Sequence, residues 1–132
     1  MINDTISDML TRIRNASLVK HSIVKIPYTK IVENIALILK EEGFINGYKK
    51  YVNNSHDCLL VLLKYKTRKN KPVISEMKRV SKPGLRIYAD TKSLPKVLGP
   101  FGIVIISTSQ GLMTNTKAKQ LGIGGEILCY IF

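Results

Sequence analysis

The run Ile103-Val104-Ile105-Ile106 constrains this chain more than any other stretch. It is long enough for a buried strand and too short for a helix. It stops at three hydroxyls, Ser107, Thr108 and Ser109, followed by Gln110 and Gly111. On a strand alternate residues share a face, so Ser107 and Ser109 are expected to project together. Thr114 stands where a helix N-cap belongs, ahead of Lys117, Ala118, Lys119 and Leu121. Gly122, Gly124 and Gly125 are expected to end that short helix and to let the backbone pass close to something else. No carboxylate and no histidine lies between Phe101 and Gly125. The stretch therefore suits gripping a partner better than doing chemistry. Small hydroxyls donate and accept hydrogen bonds, so they can meet base edges, ribose hydroxyls and phosphate oxygens. A polar strand-to-helix turn of any globular protein would also read this way.

Charge points to the class of partner. The chain has 132 residues, enough for one domain or two small lobes sharing a core, and 45% of them are apolar. Its 21 basic and 9 acidic side chains give a net charge of +12. Such an excess favours a polyanion, nucleic acid ahead of an anionic membrane surface. Residues 66–132 hold twelve basic and three acidic side chains, against nine and six in residues 1–65, so the second half is the expected binding half. The longest apolar runs, such as Cys58 to Leu63, are far short of the ~20 residues that span a bilayer. No signal or transit peptide is expected, since Asp4 puts an acid so early. Cys58 and Cys129 read as buried small hydrophobes in a reducing compartment, and no Cys and His spacing suggests zinc. No cofactor is expected.

Along the chain the reading is α+β in two small lobes. The segment NDTISDMLTRIRNAS is an amphipathic helix, with Asn3 as cap, Asp4 and Asp8 at its positive end, and Ile6, Met9 or Leu10, and Ile13 on one face. A short strand, Ser22 to Pro27, precedes a second helix from about Thr29 to Glu42, with Ile31, Ile35, Ile38 and Leu39 as its stripe and Gly43 as its stop. Phe44 to Val52 and Cys58 to Lys66 read as strands joined by a turn at 53–57. The N-terminal lobe, residues 1–66, is thus α-β-α-β-β in two layers. The polar break TRKNKP opens the C-terminal lobe, residues 67–132, β-rich with one short helix. There Pro83-Gly84 marks a tight turn. After it Leu85, Ile87 and Ala89 alternate with Arg86 and Tyr88, which are expected on one outward face beside each other. A cation beside a ring holds a phosphate while the ring stacks on a base. Lys92 to Leu98 reads as a short helical or turn segment interrupted by Pro95, and Glu126 to Phe132 as the last strand.

Four motifs in this order, DTISDMLTRIRNA, LKEEGFI, KRVSKPGLRIYA and GIVIISTSQGLMTNTKAKQLGIGGEILCYIF, resemble the ribosomal protein S-eight family, the eighth protein of the small ribosomal subunit. The resemblance covers essentially the whole chain. Asn115 stands where the family usually has Asp after Met-Thr, and Lys119 where Arg is common. It also identifies the segment from Val73 to Val80, whose spacing of Ile74, Met77 and Val80 is ambiguous, as a strand. The resemblance implies a structural ribosomal protein that binds the central domain of small-subunit ribosomal RNA early in assembly, beside neighbouring small-subunit ribosomal proteins. On that basis Ser107, Thr108 and Ser109 are the expected close RNA contacts, with Tyr88 stacking. Lys82, Arg86 and Lys119 are expected on phosphates, and Gly124 and Gly125 to permit close approach. Arg12, Arg14 and Asn15 are expected to add contacts from the first lobe. The ending GGEILCYIF and the opening NDTISD resemble plastid-encoded members, which favours plastid stroma over bacterial cytoplasm.

Other function classes fare worse. Bacterial relatives in the family repress translation of their own message, and the same residues would serve that role. An enzyme would need a base or nucleophile in the basic region, and neither His21 nor His56 sits near such a motif. The glycines match no Walker loop or dinucleotide fingerprint. A DNA-binding module would need a helix for the major groove, and the helices read as core-facing. Neither a membrane nor a small-molecule substrate is expected as a partner.

Overall fold

The computed structural model describes residues 4–52, 55–66, 71–93 and 102–132. Asn3, Asn53 and Asn54, residues 67–70 and residues 94–98 lie outside that set. The chain divides into two units, residues 5–75 and residue 4 with 76–132. The expected break at 67–72 differs from that division because Lys71–Pro72 pairs back on Tyr65–Lys66 and the Val73 amide donates to the Lys64 carbonyl.

The first unit forms from amphipathic spacing and legible caps. Helix α1 (Thr5–Leu18) buries Ile6, Met9, Leu10, Ile13 and Ala16, the i, i+3, i+4 pattern of one face. Strand β1 (Ile23–Pro27) alternates with Val24 and Ile26 inward. Helix α2 (Lys30–Glu41) starts at Thr29, whose hydroxyl accepts from the Val32 amide at 3.2 Å. It ends in a Schellman arrangement, with Gly43 at φ 81 and Phe44 N–H donating to the Leu39 carbonyl at 2.8 Å. Its buried face is Val32, Ile35, Ala36, Ile38 and Leu39. The expected Ile31 is only half-buried, because the stripe runs through the smaller Val32 and Ala36.

Strands β2 (Ile45–Val52) and β3 (Asp57–Leu63) complete an antiparallel sheet in the order β1-β3-β2. The two helices cover the face that carries Val24, Ile26, Leu59 and Val61. A small ribbon, β4 (Tyr65–Lys66) with β5 (Lys71–Pro72), follows.

In the second unit β10 (Gly125–Ile131) is the central strand. One edge pairs with β6 (Met77–Arg79) and β7 (Tyr88–Ala89), the other with β8 (Ile103–Thr108), which pairs with β9 (Gly111–Thr114). Between β9 and β10 lies α3 (Asn115–Leu121). Two expectations change here. The strand read across Val73 to Val80 is regular only over Met77–Arg79, with Glu76 and Phe132 exchanging both backbone bonds at its start; Val73 instead bends away and donates to the Lys64 carbonyl. The strand read from Leu85 begins at Tyr88. Lys82 and Leu85 exchange both backbone bonds at 2.9 Å across Pro83-Gly84, and this leaves Leu85 65% exposed instead of inward.

Asp4 stands directly before α1, at its positive end as expected, and has a second role. Its carboxylate accepts from Arg79 Nε at 3.2 Å, and Arg79 donates to the Leu128 carbonyl at 2.6 Å. Cys58 and Cys129 are free and buried.

Candidate nucleic-acid interface

Register decides which side chains meet. Tyr88 on β7 lies opposite Glu126 on β10, Glu126 opposite Ser107 on β8, and Ser107 opposite Leu112 on β9. Directly paired residues share a face, so this row places Tyr88, Glu126 and Ser107 side by side. Arg86 joins them by donating to Glu126 Oε2 at 3.0 Å. That hydrogen bond, and the carboxylate charge behind it, raise the Arg86 pKa above its ordinary value. Tyr88 is 68% exposed, with its ring free to meet a flat partner. The opposite face is apolar: Ile106, Ile127 and Met113 pack with Ala118 of α3, and Ile87 and Ala89 close over them. The expected pairing of Arg86 and Tyr88 outward against Ile87 and Ala89 inward is present.

The three hydroxyls do not act as a block. Ser107 shares the Tyr88 row, whereas Thr108 points to the other face. Thr108 Oγ1 accepts from the Gln110 amide at 3.1 Å and donates to the Gly111 carbonyl at 2.8 Å, closing the β8-β9 hairpin. Ser109 is exposed in the two-residue turn and not on the strand, so it does not project with Ser107. Neither Ser109 nor Gln110 has a positive φ. Gly111 carries it at 105°, a backbone region that glycine enters without steric cost. The strand-to-helix turn expected from the sequence is therefore a hairpin first, with β9 ahead of the helix.

Helix α3 follows the expected signals. Thr114 caps it by accepting from the Lys117 amide at 3.3 Å, and Gly122 ends it at φ 70. Asn115 Oδ1 accepts from the Val104 amide at 3.2 Å, a bond that the carboxylate usual in the family would make equally well. Lys117 and Lys119 are exposed.

Gly124 and Gly125 answer to internal packing. A Cβ on Gly124 would collide with the Ala89 carbonyl oxygen and stand 2.7 Å from Asp90 Cα. One on Gly125 would collide with the Ser107 carbonyl oxygen. The close approach that these glycines permit is thus, at least, to the flanking strands.

Lys82 is exposed on a loop that sequence reasoning did not single out as an anchored unit. Ser81 is fully buried, accepts from the Ile87 amide at 2.8 Å and donates to the Ile87 carbonyl at 3.1 Å. It closes residues 82–86 into a loop that presents Lys82, Leu85 and Arg86. The only available signal was its place directly before Lys82-Pro83-Gly84. Glu126, the acceptor for Arg86, was also missed, since nothing local links residues forty positions apart.

Arg12, Arg14 and Asn15 lie exposed on α1 in the first unit. Arg12 pairs with Asp8 at 3.0 Å and reaches the Lys25 carbonyl at 3.4 Å. Among the described residues no group of three His, Cys, Asp or Glu is placed to hold a metal, and no helix is long and apolar enough to cross a membrane.

Residues 4–132 match the profile of the family described as Ribosomal protein S8. Over all 132 residues of both chains the protein is 64% identical to the small ribosomal subunit protein uS8c of Trieres chinensis and 58% identical to that of Gracilaria tenuistipitata var. liui. It is 54% identical to the small ribosomal subunit protein uS8 of Gloeobacter violaceus over 131 residues, 99% of this chain and 98% of the relative.

Proposed function

The chain belongs to the ribosomal protein S8 family, a structural family of the small ribosomal subunit, and from that premise we propose that it binds small-subunit ribosomal RNA directly, in the central domain, and supports assembly there. Its place is the plastid ribosome, in keeping with the algal uS8c relatives. The observation that carries the RNA reading is the row of Tyr88, Ser107 and Arg86 on one sheet face. An exposed ring, a small hydroxyl and a guanidinium stand within one patch of a unit whose eight basic side chains outnumber four acidic ones. The ring stacks on an unstacked base, the hydroxyl reads base or ribose edges, and the cation sits against phosphate. Ser109 and Gln110 at the hairpin tip and Lys82 on the Ser81 loop extend the same contact, and Lys119 adds one from α3 behind the sheet. Arg12, Arg14 and Asn15 add contacts from α1. These groups suit binding, and the reading is of a structural protein, in keeping with the family.

Tyr88→Ala tests it in gel-shift or filter binding. A stacked base lost costs about 1–3 kcal/mol, or roughly 5- to 150-fold in affinity for the central-domain RNA. Unchanged affinity would remove Tyr88 from the interface.

A further inference from the structure

The first unit leaves one face of its sheet bare, and the register of that face has a pattern of its own. Three rows cross it: Ile23, Leu62 and Gly47; Lys25, Leu60 and Lys49; Pro27, Cys58 and Tyr51. These are the outward positions of β1, β3 and β2, opposite the face that α1 and α2 cover. Exposed Leu62 and half-buried Leu60 form an apolar column down the central strand, with Cys58 buried at its end, and Leu62 leans over Gly47 with its Cδ1 3.9 Å from where a Cβ would stand. Ile23 is 51% exposed and Tyr51 50%. No acidic residue occupies any of the nine positions. Lys50, the other cation of β2, belongs to the opposite face, where its Nζ lies over the Tyr28 ring and near Asp57.

We propose that this face docks an acidic amphipathic helix of a neighbouring protein, laid along β3 between Lys25 and Lys49. Neighbouring strands stand about 4.8 Å apart, so the two lysines flank the column at about 10 Å, the width of one helix. The helix would bury its apolar stripe on Ile23, Leu60 and Leu62 and set carboxylates against the lysines on either side. The two-layer unit would thereby become three-layered.

A cleft of about 770 Å³ continues the face at its Pro27 and Cys58 corner. It is lined by Lys25, His56 and Asp57, and by Arg12, which is already paired with Asp8. RNA fits the face poorly. Its centre is aliphatic where a sheet that reads RNA carries rings, and its one tyrosine is at a corner. The inference goes beyond the RNA-binding reading and does not depend on it.

Hydroxyl-radical footprinting with mass spectrometry tests it on the whole chain in three states: alone, with naked small-subunit ribosomal RNA, and in the reconstituted small subunit. Oxidation of Ile23, Leu60, Leu62 and Tyr51 is expected to fall several-fold only in the complete subunit. Equal protection by naked RNA would give the face to RNA, and full reactivity in the subunit would leave it without an occupant. Either result overturns the proposal. Tyr88 reports separately on the RNA reading, since it should be protected already by naked RNA.

The double variant Lys25→Glu with Lys49→Glu isolates the charge. Its face should stay reactive in the subunit, or the chain should fail to enter the subunit while RNA still protects Tyr88. The paired arginine variant should behave as the parent. Undiminished protection in the glutamate variant would rule out an acidic partner.

Discussion

The Ser81 hydroxyl holds both backbone groups of Ile87, accepting from its amide at 2.8 Å and donating to its carbonyl at 3.1 Å. The two ends of the loop that carries Lys82 and Arg86 are tied by one buried atom. The Ile87 carbonyl has a second partner in the Ile127 amide at 2.9 Å, so the amide of Ile87 depends more on Ser81 than the carbonyl does.

Ser81→Ala is therefore expected to leave a half-buried amide without its acceptor and to cost about 1–3 kcal/mol of stability. Urea denaturation of parent and variant measures it. RNA affinity should fall as well, because Lys82 and Arg86 lose their fixed spacing. A stability change below a few tenths of a kcal/mol would mean that water replaces the hydroxyl.

Lys82 and Arg86 are predicted to differ in kind. Lys82→Ala should flatten the salt dependence of RNA binding by roughly one unit of slope. Arg86→Ala should flatten it less, because Glu126 already offsets the guanidinium charge at 3.0 Å. Glu126→Gln should then raise affinity at low salt. The reverse order of the two slopes would show that the Arg86-Glu126 pair opens on binding.

Ser107→Ala combined with Ser109→Ala is expected to weaken RNA binding with little change in melting temperature, since neither hydroxyl closes the hairpin. Thr108→Ala should do the opposite, costing about 1 kcal/mol through its lost bonds to Gln110 and Gly111. Gly125→Ala should destabilise by about 1–3 kcal/mol, since the new methyl meets the Ser107 carbonyl. Parallel thermal melts and binding curves separate these outcomes.

What the sequence announced and what it hid divide along a physical line. Helix ends were legible because their causes are local: Thr29 and Thr114 accept from amides three residues on, and Gly43 and Gly122 take left-handed backbone. The inward and outward sides of β1 and of Arg86 to Ala89 followed from alternation. The Arg86-Glu126 pair, the Ser81 anchor and the glycine contacts with Ala89 and Ser107 depend on chain segments brought together by folding, and no local pattern encodes them. The hairpin at Ser109 and Gln110 was missed because a four-residue strand before a helix offers too few alternations to count. Ile31 was misplaced because its hydrophobicity outweighed the spacing that favours Val32 and Ala36.

Burial pushes the Cys129 thiol up to about 12, against the opposing pull of Arg79. The folded value lies above the ordinary 9.0, so the folded chain holds a proton that the unfolded chain releases between the two. Its contribution to stability is whole below about pH 9 and is lost as pH rises towards about 12. Denaturation curves taken on the alkaline side should show stability falling, with a flatter decline in Cys129→Ala. A disulfide reagent near neutrality should leave Cys129 unmodified until the chain unfolds.

The most direct test of the central claim is a salt-titrated binding assay of this protein with a central-domain fragment of small-subunit ribosomal RNA, against an unrelated hairpin of equal length. The account predicts a preference for the central-domain fragment that persists at physiological salt. Equal binding of the two RNAs, fading together as salt rises, would contradict it and leave the +12 net charge as the whole cause of binding.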